Sequence, residues 1–514
     1  MAVTPKLLRR GTLARVPAEC RPTVEPGAAG IVHIGLGAFH RAHQAVYTEA
    51  AMAAAGGDWG IVAVAPRRRE LIDALTAQDG LFSVTSLDGT RTETRVVGAL
   101  CAVRHAPSDP YAVVALLADP AIRVVTLTVT EKAYLMDPAT GRLLVDDALR
   151  AELSGQSPPA TVPGLLVAGL RARAGADAGP VALVSCDNLP ANGRRLAGAV
   201  RQALAIGTGG PRPDRLADWV GGNVTFPNTM VDRIVPATTP RTLATAEAAL
   251  GVADRAAVAA EPYRQWVIED AFPGGRPAWE AAGAVLTDDA GGYERLKLRT
   301  LNGVHSALAY LGALAGCETI AEALRLPGMR AALECFVAEE IAPSMRPPPG
   351  VSVVRYGHEV LDRFANPAIA HRTLQVAMDG SQKLPQRILD TAAQRRAAGA
   401  SPRWAALVVA AWMRFAGGVG DDGQELPLDD PLAGDIRRLL AEAGDSPPAV
   451  VRALLGLDRV FAPEWAGDAV LRTLVTDWLD TLSRHGVRAT LAGIATAAPG
   501  AAPVGGRAAR EGSP

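Results

Sequence analysis

The run Tyr293-Glu294-Arg295-Leu296-Lys297-Leu298-Arg299-Thr300-Leu301-Asn302-Gly303-Val304-His305 is the densest concentration of chemically able side chains in this 514-residue chain. If it forms one α-helix, about 100° per residue places Glu294, Lys297, Asn302 and His305 within an arc of roughly 140°. A carboxylate, an amine, an amide and an imidazole on one face are groups that move protons and hydrogen-bond a polar substrate. The run continues into SALAYLGALAG, an apolar helix that has to be buried, so this face turns toward an interior cleft. The competing reading makes Glu294 and Lys297 an i,i+3 surface pair. Tyr293 and Lys297 also fit the Y-x-x-x-K of short-chain dehydrogenases. Those chains are much shorter and carry a more widely spaced glycine turn, which sets that reading aside.

A second group surrounds Gly35-Leu36-Gly37, which follows an apolar strand and precedes a helix. Glycines there let backbone amides approach a pyrophosphate. The third glycine of the usual fingerprint is replaced by His40, so an ordinary tight turn is the alternative. Arg41 and the two histidines of His40-Arg41-Ala42-His43-Gln44 favour the dinucleotide reading, because burying them without an anionic partner is costly. A zinc site at His40 and His43 lacks further ligands at suitable spacing. The second strand ends Val64-Ala65-Pro66 and runs into Arg67-Arg68-Arg69-Glu70. The arginines suit either a 2′-phosphate or a solvated helix start, and Glu70 is the only nearby acid for a ribose. Thr130-Glu131-Lys132-Ala133-Tyr134 and Ser185 to Gly193 also follow strand ends, where ligands of parallel sheets collect. Asn192-Gly193 could equally be a turn, and Asp187 or Asn188 a helix cap.

The elements that must position these residues are legible in outline. Residues 30–65 read as a βαβ unit, and apolar strands at 122–129 and 180–185 alternate with helical stretches at 111–117 and 164–173. From about residue 290 the pattern is helical, with stretches at 302–317, 328–341, 388–400, 403–416, 431–443 and 466–484. These patterns predict an α/β Rossmann-type domain over 1–289, a largely α-helical domain over 290–496 and a frayed, Ala/Gly/Pro-rich tail over 497–514. With 49% hydrophobic and 20% charged residues the chain is globular. Its net charge of −1 gives no field for collecting nucleic acid or an anionic membrane. The longest apolar run, Trp404 to Met413, is too short to span a bilayer, and no secretory signal is evident. Five scattered cysteines without a C-x-x-C suit a reducing cytoplasm and no metal. The oligomeric state is not readable.

Seven strings in order resemble the mannitol dehydrogenase family of zinc-independent, long-chain polyol and uronate dehydrogenases: GLGAFHRAHQAVY, LTVTEKAY, SCDNLPANG, FPNTMVDRIVP, EPYRQWVIED, KLRTLNGVHSALAYLG and HRTLQVAMDGSQKLPQR. The resemblance spans residues 28–485. It implies NAD-linked interconversion of a secondary alcohol and a ketone, with NADP the alternative that the 67–69 arginines raise. It also implies Lys297 as general base, Asn188 and Asn302 as donors to the reacting oxygen, and His305 as a ligand of substrate hydroxyls. These roles suit the residue types: burial can bring a lysine pKa toward neutrality, and amides can stabilise an alkoxide. Glu294, one turn before Lys297, is placed as a proton relay. Gly35, Gly37, Phe39, His40, Arg41, Thr130 and Glu131 are the expected cofactor contacts. Asp232, Arg372, Gln375 and Lys383 join His305 as expected substrate contacts. The segment from His371 to Arg387, with Gln375 where mannitol dehydrogenases tend to have arginine, resembles the fructuronate-reducing branch. Its sugar-acid substrate carries a carboxylate, for which Lys383 and Arg372 are the candidate cations. Mannitol or arabinitol oxidation is the nearest alternative, and a catalytically silent dinucleotide-binding protein the other. Ala133 departs from the usual glycine after TEK.

Overall fold

The structure, a computed structural model, describes residues 5–89, 91–137, 140–206 and 213–496. The tail expected over 497–514 lies outside the described residues. The chain divides into two compact units, Met1–Gly291 and Gly292–Pro514.

The N-terminal unit contains strands β1 (Ala29–Ile34), β2 (Gly60–Ala65), β3 (Phe82–Asp88), β4 (Arg91–Val97), β5 (Leu100–His105), β6 (Val124–Leu127), β7 (Val181–Ser185), β8 (Val224–Thr225), β9 (Thr229–Asp232), β10 (Val258–Ala260), β11 (Gln265–Glu269) and β12 (Val285–Thr287). Six of them form a sheet in the order β5-β2-β1-β6-β7-β8, with every pairing parallel. Numbered within the sheet, that order is 3-2-1-4-5-6, the doubly wound arrangement that opens a crevice where the strand order reverses, beside β1 and β6. The strands are apolar on both faces because both faces are covered. Ile31, Ile61, Ala63, Ala182 and Val184 pack into a core with Tyr47, Trp266 and Trp279. Their neighbours Val32, Val64, Val125, Val181 and Leu183 pack into the opposite core. There they meet the helices Pro110–Leu117, Val162–Gly175 and Asn192–Ile206.

Two features depart from the sequence expectation. The helix after the glycine turn is broken at His43 (φ −127°, ψ −86°) into Ala38–Ala42 and Gln44–Ala55. His43 instead sends Nε2 to the Gln265 carbonyl at 2.9 Å and packs its ring against Phe39, Tyr47 and Trp266. In addition, β10-β3-β4 and β12-β11-β9 form two small mixed sheets that the sequence reading did not contain. The alternating Ser, Thr, Glu and Arg of β3 and β4 leave too short an apolar signal for a strand to register.

The C-terminal unit is helical. Gly303–Leu314 is buried along its whole length, and Arg403–Ala416 nearly so. The single helix expected over 293–305 is corrected: Ala290–Lys297 is α, Leu298–Asn302 is a π turn, and Gly303 resumes the α-helix, its N–H bonding back to Leu298 O. Further π turns occupy Phe336–Ile341 and Pro385–Leu389, so the helices expected over 328–341 and 388–400 are α-helical only at Met329–Cys335 and Asp390–Ala397. The last helix, Ala469–Thr496, is kinked at Gly486 (φ 71°, ψ 170°). Among the described residues no helix is long and apolar enough to cross a membrane.

One buried carboxylate ties this unit together. Glu340 accepts hydrogen bonds from Trp404 N (2.6 Å) and Ala405 N (2.9 Å), capping the helix Arg403–Ala416 from the π turn. Burial outweighs these donors and pushes its pKa up to about 7, from an ordinary 4.5. The folded state therefore holds this proton more tightly than the unfolded chain, and Glu340 costs stability as pH rises from about 4.5 to about 7. The full shift corresponds to on the order of 3 kcal/mol. Between pH 5 and 7.5, wild-type Tm should fall more than that of Glu340→Gln, which cannot ionise. Parallel thermal melts of the two proteins check this, and equal slopes would place the titration elsewhere.

Candidate active site

In the N-terminal unit a cleft of about 670 Å³ opens at the C-terminal ends of β1, β2 and β6. Its wall includes Gly35, Gly37, Arg41, Arg67, Arg68 and Thr130. The two glycines differ in purpose. Gly35 has φ +109°, and a Cβ there would meet Thr128 O at 2.1 Å, so the turn can pass β6 only without a side chain. A Cβ on Gly37 would meet nothing nearer than 3.7 Å, and its bare backbone keeps the cleft wall open. Gly35 N and Leu36 N both donate to Val64 O. The next N–H groups, at the start of the helix Ala38–Ala42, have no acceptor within that helix and suit a pyrophosphate.

The neighbouring strand ends are locked together by Asp187. Its carboxylate accepts from Tyr134 Oη (2.7 Å), Thr130 N (2.8 Å) and Val129 N (3.2 Å), fixing the loop after β6 to the end of β7. Thr130 is thereby held at φ +75°, a strained position for a residue with a β-branch. Burial raises the Asp187 pKa against these donors. Asn192, considered above as part of a simple turn, is buried: its side chain bonds Asp187 O, Thr229 O and Thr229 N, joining β7 to β9. Asn188 is exposed just beyond β7, and buried Asp232 ends β9.

Several expected cofactor contacts lie elsewhere. His40 is fully buried, stacked face to face on His33 with ring centroids 3.4 Å apart, and does not line the cleft. Phe39 stacks on His43, and Glu131 is exposed away from the cleft wall. Within this basic cluster Arg41 and His43 reach backbone carbonyls, whereas both ring nitrogens of His40 are buried without a hydrogen-bond partner among the described residues. Arg41 donates to Gly37 O at 3.2 Å and to Ala256 O, and burial lowers its pKa to about 10. Burial likewise keeps both histidines uncharged at neutral pH. Glu70 is exposed on the helix Arg69–Ala77 and is not part of the wall, whereas Arg67 and Arg68 are.

In the C-terminal unit Lys297, Asn302 and His305 are all buried, and Glu294 is half-buried one turn before the lysine. The π turn changes their alignment. In a regular α-helix, residues five apart sit about 140° from each other. An i→i+5 turn winds less per residue and so narrows the angle between Lys297 and Asn302. Asn302 Nδ2 and His305 Nε2 are buried polar atoms without a hydrogen-bond partner among the described residues, as expected of groups that serve a ligand. The His305 ring stacks on Phe364 at 4.5 Å and meets His371 edge-on at 4.8 Å. Burial, then the fields of His371, Arg387 and Lys383, hold its pKa well below the ordinary value. His305 is thus a neutral imidazole, able to donate to and accept from hydroxyls.

Lys383 and Arg387 supply the positive charge beside it. Lys383 Nζ donates to Val376 O (3.3 Å) and Met378 O, and burial followed by Arg387 lowers its pKa to about 8. Arg387 donates to Ser306 Oγ at 3.2 Å, and its carbonyl lies 3.0 Å from where a Cβ on Gly303 would stand. Glycine at 303 lets the two π-turn segments approach this closely. Arg372, the other expected site cation, is exposed and ion-paired to exposed Glu318 at 3.0 Å. Gln375 is exposed as well. Sequence reasoning missed His371, Arg387 and Phe364. The i,i+4 spacing of Lys383 and Arg387 was the available signal for one of them.

The mannitol dehydrogenase Rossmann domain family matches residues 29–281, and the mannitol dehydrogenase C-terminal domain family matches residues 289–481. The D-mannonate oxidoreductase of Escherichia coli is 40% identical over 469 residues, covering 90% of this chain and 95% of that protein. A mannitol 2-dehydrogenase of Phaeosphaeria nodorum is 36% identical over 470 residues, covering 90% of this chain and 81% of that protein. The solved Pseudomonas fluorescens mannitol 2-dehydrogenase, a ternary complex with NAD and D-mannitol, superposes with a TM-score of 0.80 at 35% identity. That likeness covers 94% of this chain and 98% of the other.

The different purposes of the two glycines can be separated. Gly35→Ala should lower Tm by at least about 5 °C, since it combines a positive φ with a backbone clash. Gly37→Ala should melt like the wild type yet bind dinucleotide more weakly. Thermal melts and NADH fluorescence titration measure both effects, and a stable Gly35→Ala protein would contradict the close packing of the turn.

Proposed function

The chain belongs to the mannitol dehydrogenase family, and from that membership we propose an NAD-dependent oxidoreductase that interconverts D-fructuronate and D-mannonate. The glycine turn of Gly35 and Gly37, with Arg41, would hold NAD in the N-terminal unit, where the nicotinamide would supply or accept the hydride. In the reductive direction Lys297 Nζ gives its proton to the oxygen of the ketone as that oxygen gains charge. In the oxidative direction the neutral amine takes the hydroxyl proton back. Asn302 Nδ2 donates to the same oxygen, a role supported by its being buried without a hydrogen-bond partner among the described residues. Asn188 and Asp232 are assigned to the reacting oxygen and to substrate hydroxyls by their place in the family motifs. Glu294 is assigned to passing the proton outward from Lys297. The absence of an acid at the end of β2, with Arg67 and Arg68 on the cleft wall, supports weak discrimination against NADP. The five separate thiols support a place in a reducing cytoplasm.

The observation that carries the sugar-acid reading is the pair Lys383 and Arg387 beside His305. Both are substantially buried, and among the described residues neither is in an ion pair, although the fields of Asp379, Asp430 and Asp429 partly offset burial at Lys383. Cations held beside acids but paired directly with none suit a ligand that brings its own carboxylate. A second reading has its own support. The Lys383 ammonium already donates to two backbone carbonyls, and a lysine so occupied could serve the hydroxyls of mannitol or arabinitol.

Lys297→Ala should lower kcat by at least about 100-fold with NADH binding retained, while Tyr293→Phe stays near wild type. Steady-state rates and NADH titration of both variants check this. The reverse pattern would move the base to the tyrosine.

The substrate is decided by comparing fructuronate with fructose, and mannonate with mannitol and arabinitol, in wild type and Lys383→Met. A hydrogen bond to a charged group contributes about 1.5–3 kcal/mol, or roughly 10- to 150-fold in affinity. Lys383→Met should therefore raise KM for fructuronate by about that factor and for fructose by much less. Equal losses on both substrates, or a wild-type kcat/KM higher for fructose, would select the polyol reading.

A further inference from the structure

A second cavity in the N-terminal unit, of about 220 Å³, shares no lining residue with the dinucleotide cleft. One side is apolar, from Val46, Val84 and Val97, and three arginines, Arg95, Arg233 and Arg264, contribute to the remainder. Among the described residues none of the three arginines is in an ion pair. Arg233 is pinned at its base, Nε donating to Glu261 O at 2.9 Å and Nη1 to Ala42 O. Arg264 lies over the Tyr47 ring, 4.7 Å from its centroid. The two guanidinium groups oppose one another: Arg233 has its pKa lowered to about 10, by burial first and then by Arg264.

The nearby acids act on them without forming an ion pair among the described residues: Arg95 offsets part of the burial effect at Glu49, and Glu261 does the same at Arg233. Glu49 is buried and turned to other donors, accepting from Thr23 N (2.7 Å), Thr23 Oγ1 (2.9 Å) and Gly98 N (2.8 Å), and burial raises its pKa. Glu93 is exposed. Positive charge on a concave wall opposite valines fits an oxyanion carried on a small apolar body. The volume is below that of pockets for drug-sized ligands and is far too small for a dinucleotide.

We propose that this cavity binds a small organic oxyanion, a carboxylate or phosphate on a short apolar body, through Arg95, Arg233 and Arg264. The planar fork of arginine matches both anions, and the valines favour a ligand with a few methylenes over a bare ion. The site is independent of the substrate identity proposed above.

The test is calorimetric titration of the full chain at saturating NADH with acetate, butyrate and inorganic phosphate, against matched chloride controls. Wild type is compared with Arg95→Gln, an exposed position, and Arg264→Gln, with melting curves to show that both fold. Saturable butyrate binding is expected, tighter than acetate by about four-fold per methylene. Either variant should weaken it by roughly ten-fold. Phosphate binding with the same dependence on the arginines, and none of butyrate, would assign the site to phosphate compounds. No saturable binding of any of the three anions, or binding that both variants leave unchanged, overturns the proposal.

Discussion

Between Leu298 and Gly303 the backbone hydrogen bond spans five residues instead of four, and the relative placement of Lys297 and Asn302 depends on that widened turn. A regular helix would spread them apart around its circumference. The π turn narrows the angle between them, an amine that can carry a proton and an amide that can donate to an oxygen. The turn is held in place by packing. Gly303 has no side chain where the Arg387 carbonyl approaches, and Arg387 reaches Ser306 on the helix that follows. The segment that holds the second π turn, Pro385–Leu389, also contributes Arg387, the cation beside Lys383. The turn between Lys297 and Gly303 and the segment that carries Arg387 are therefore packed through one close backbone contact.

The N-terminal unit solves a different problem, which is to keep backbone bare at the sheet's crevice while holding three strand ends still. Gly35 lets the turn pass Thr128, and Asp187 holds the loop of Thr130 against the end of β7. Asn192 extends the lock to β9, which Asp232 terminates. Each contact uses a polar side chain on backbone groups that the sheet itself leaves over, the usual condition for irregular backbone to be buried.

Buried bases in both units are met by backbone carbonyls. Arg41 donates to Gly37 O and Ala256 O, Arg233 to Glu261 O and Ala42 O, and Lys383 to Val376 O and Met378 O. Burial lowers the pKa of all three, because a carbonyl dipole offsets only part of the lost hydration. His40 differs: it is stacked on His33 and uncharged, and both its ring nitrogens are buried without a hydrogen-bond partner among the described residues.

The sequence by itself determined the larger part of this architecture. The apolar strands β1, β2, β6 and β7, the glycine turn and the helices of the second half follow from hydrophobic periodicity, which burial on one or both faces imposes residue by residue. The seven motif strings carried the family, and with it the proposed roles of Lys297, Asn302 and His305. Tertiary structure decided what periodicity does not encode. Whether a helical turn closes over four residues or five depends on the carbonyl packed against Gly303. Arg372 pairs with Glu318, 54 residues away in the chain, and Arg387 reaches Ser306, 81 residues away and next to His305. Such choices are made by contacts between segments far apart in the chain, each worth too little locally to leave a mark on composition or spacing.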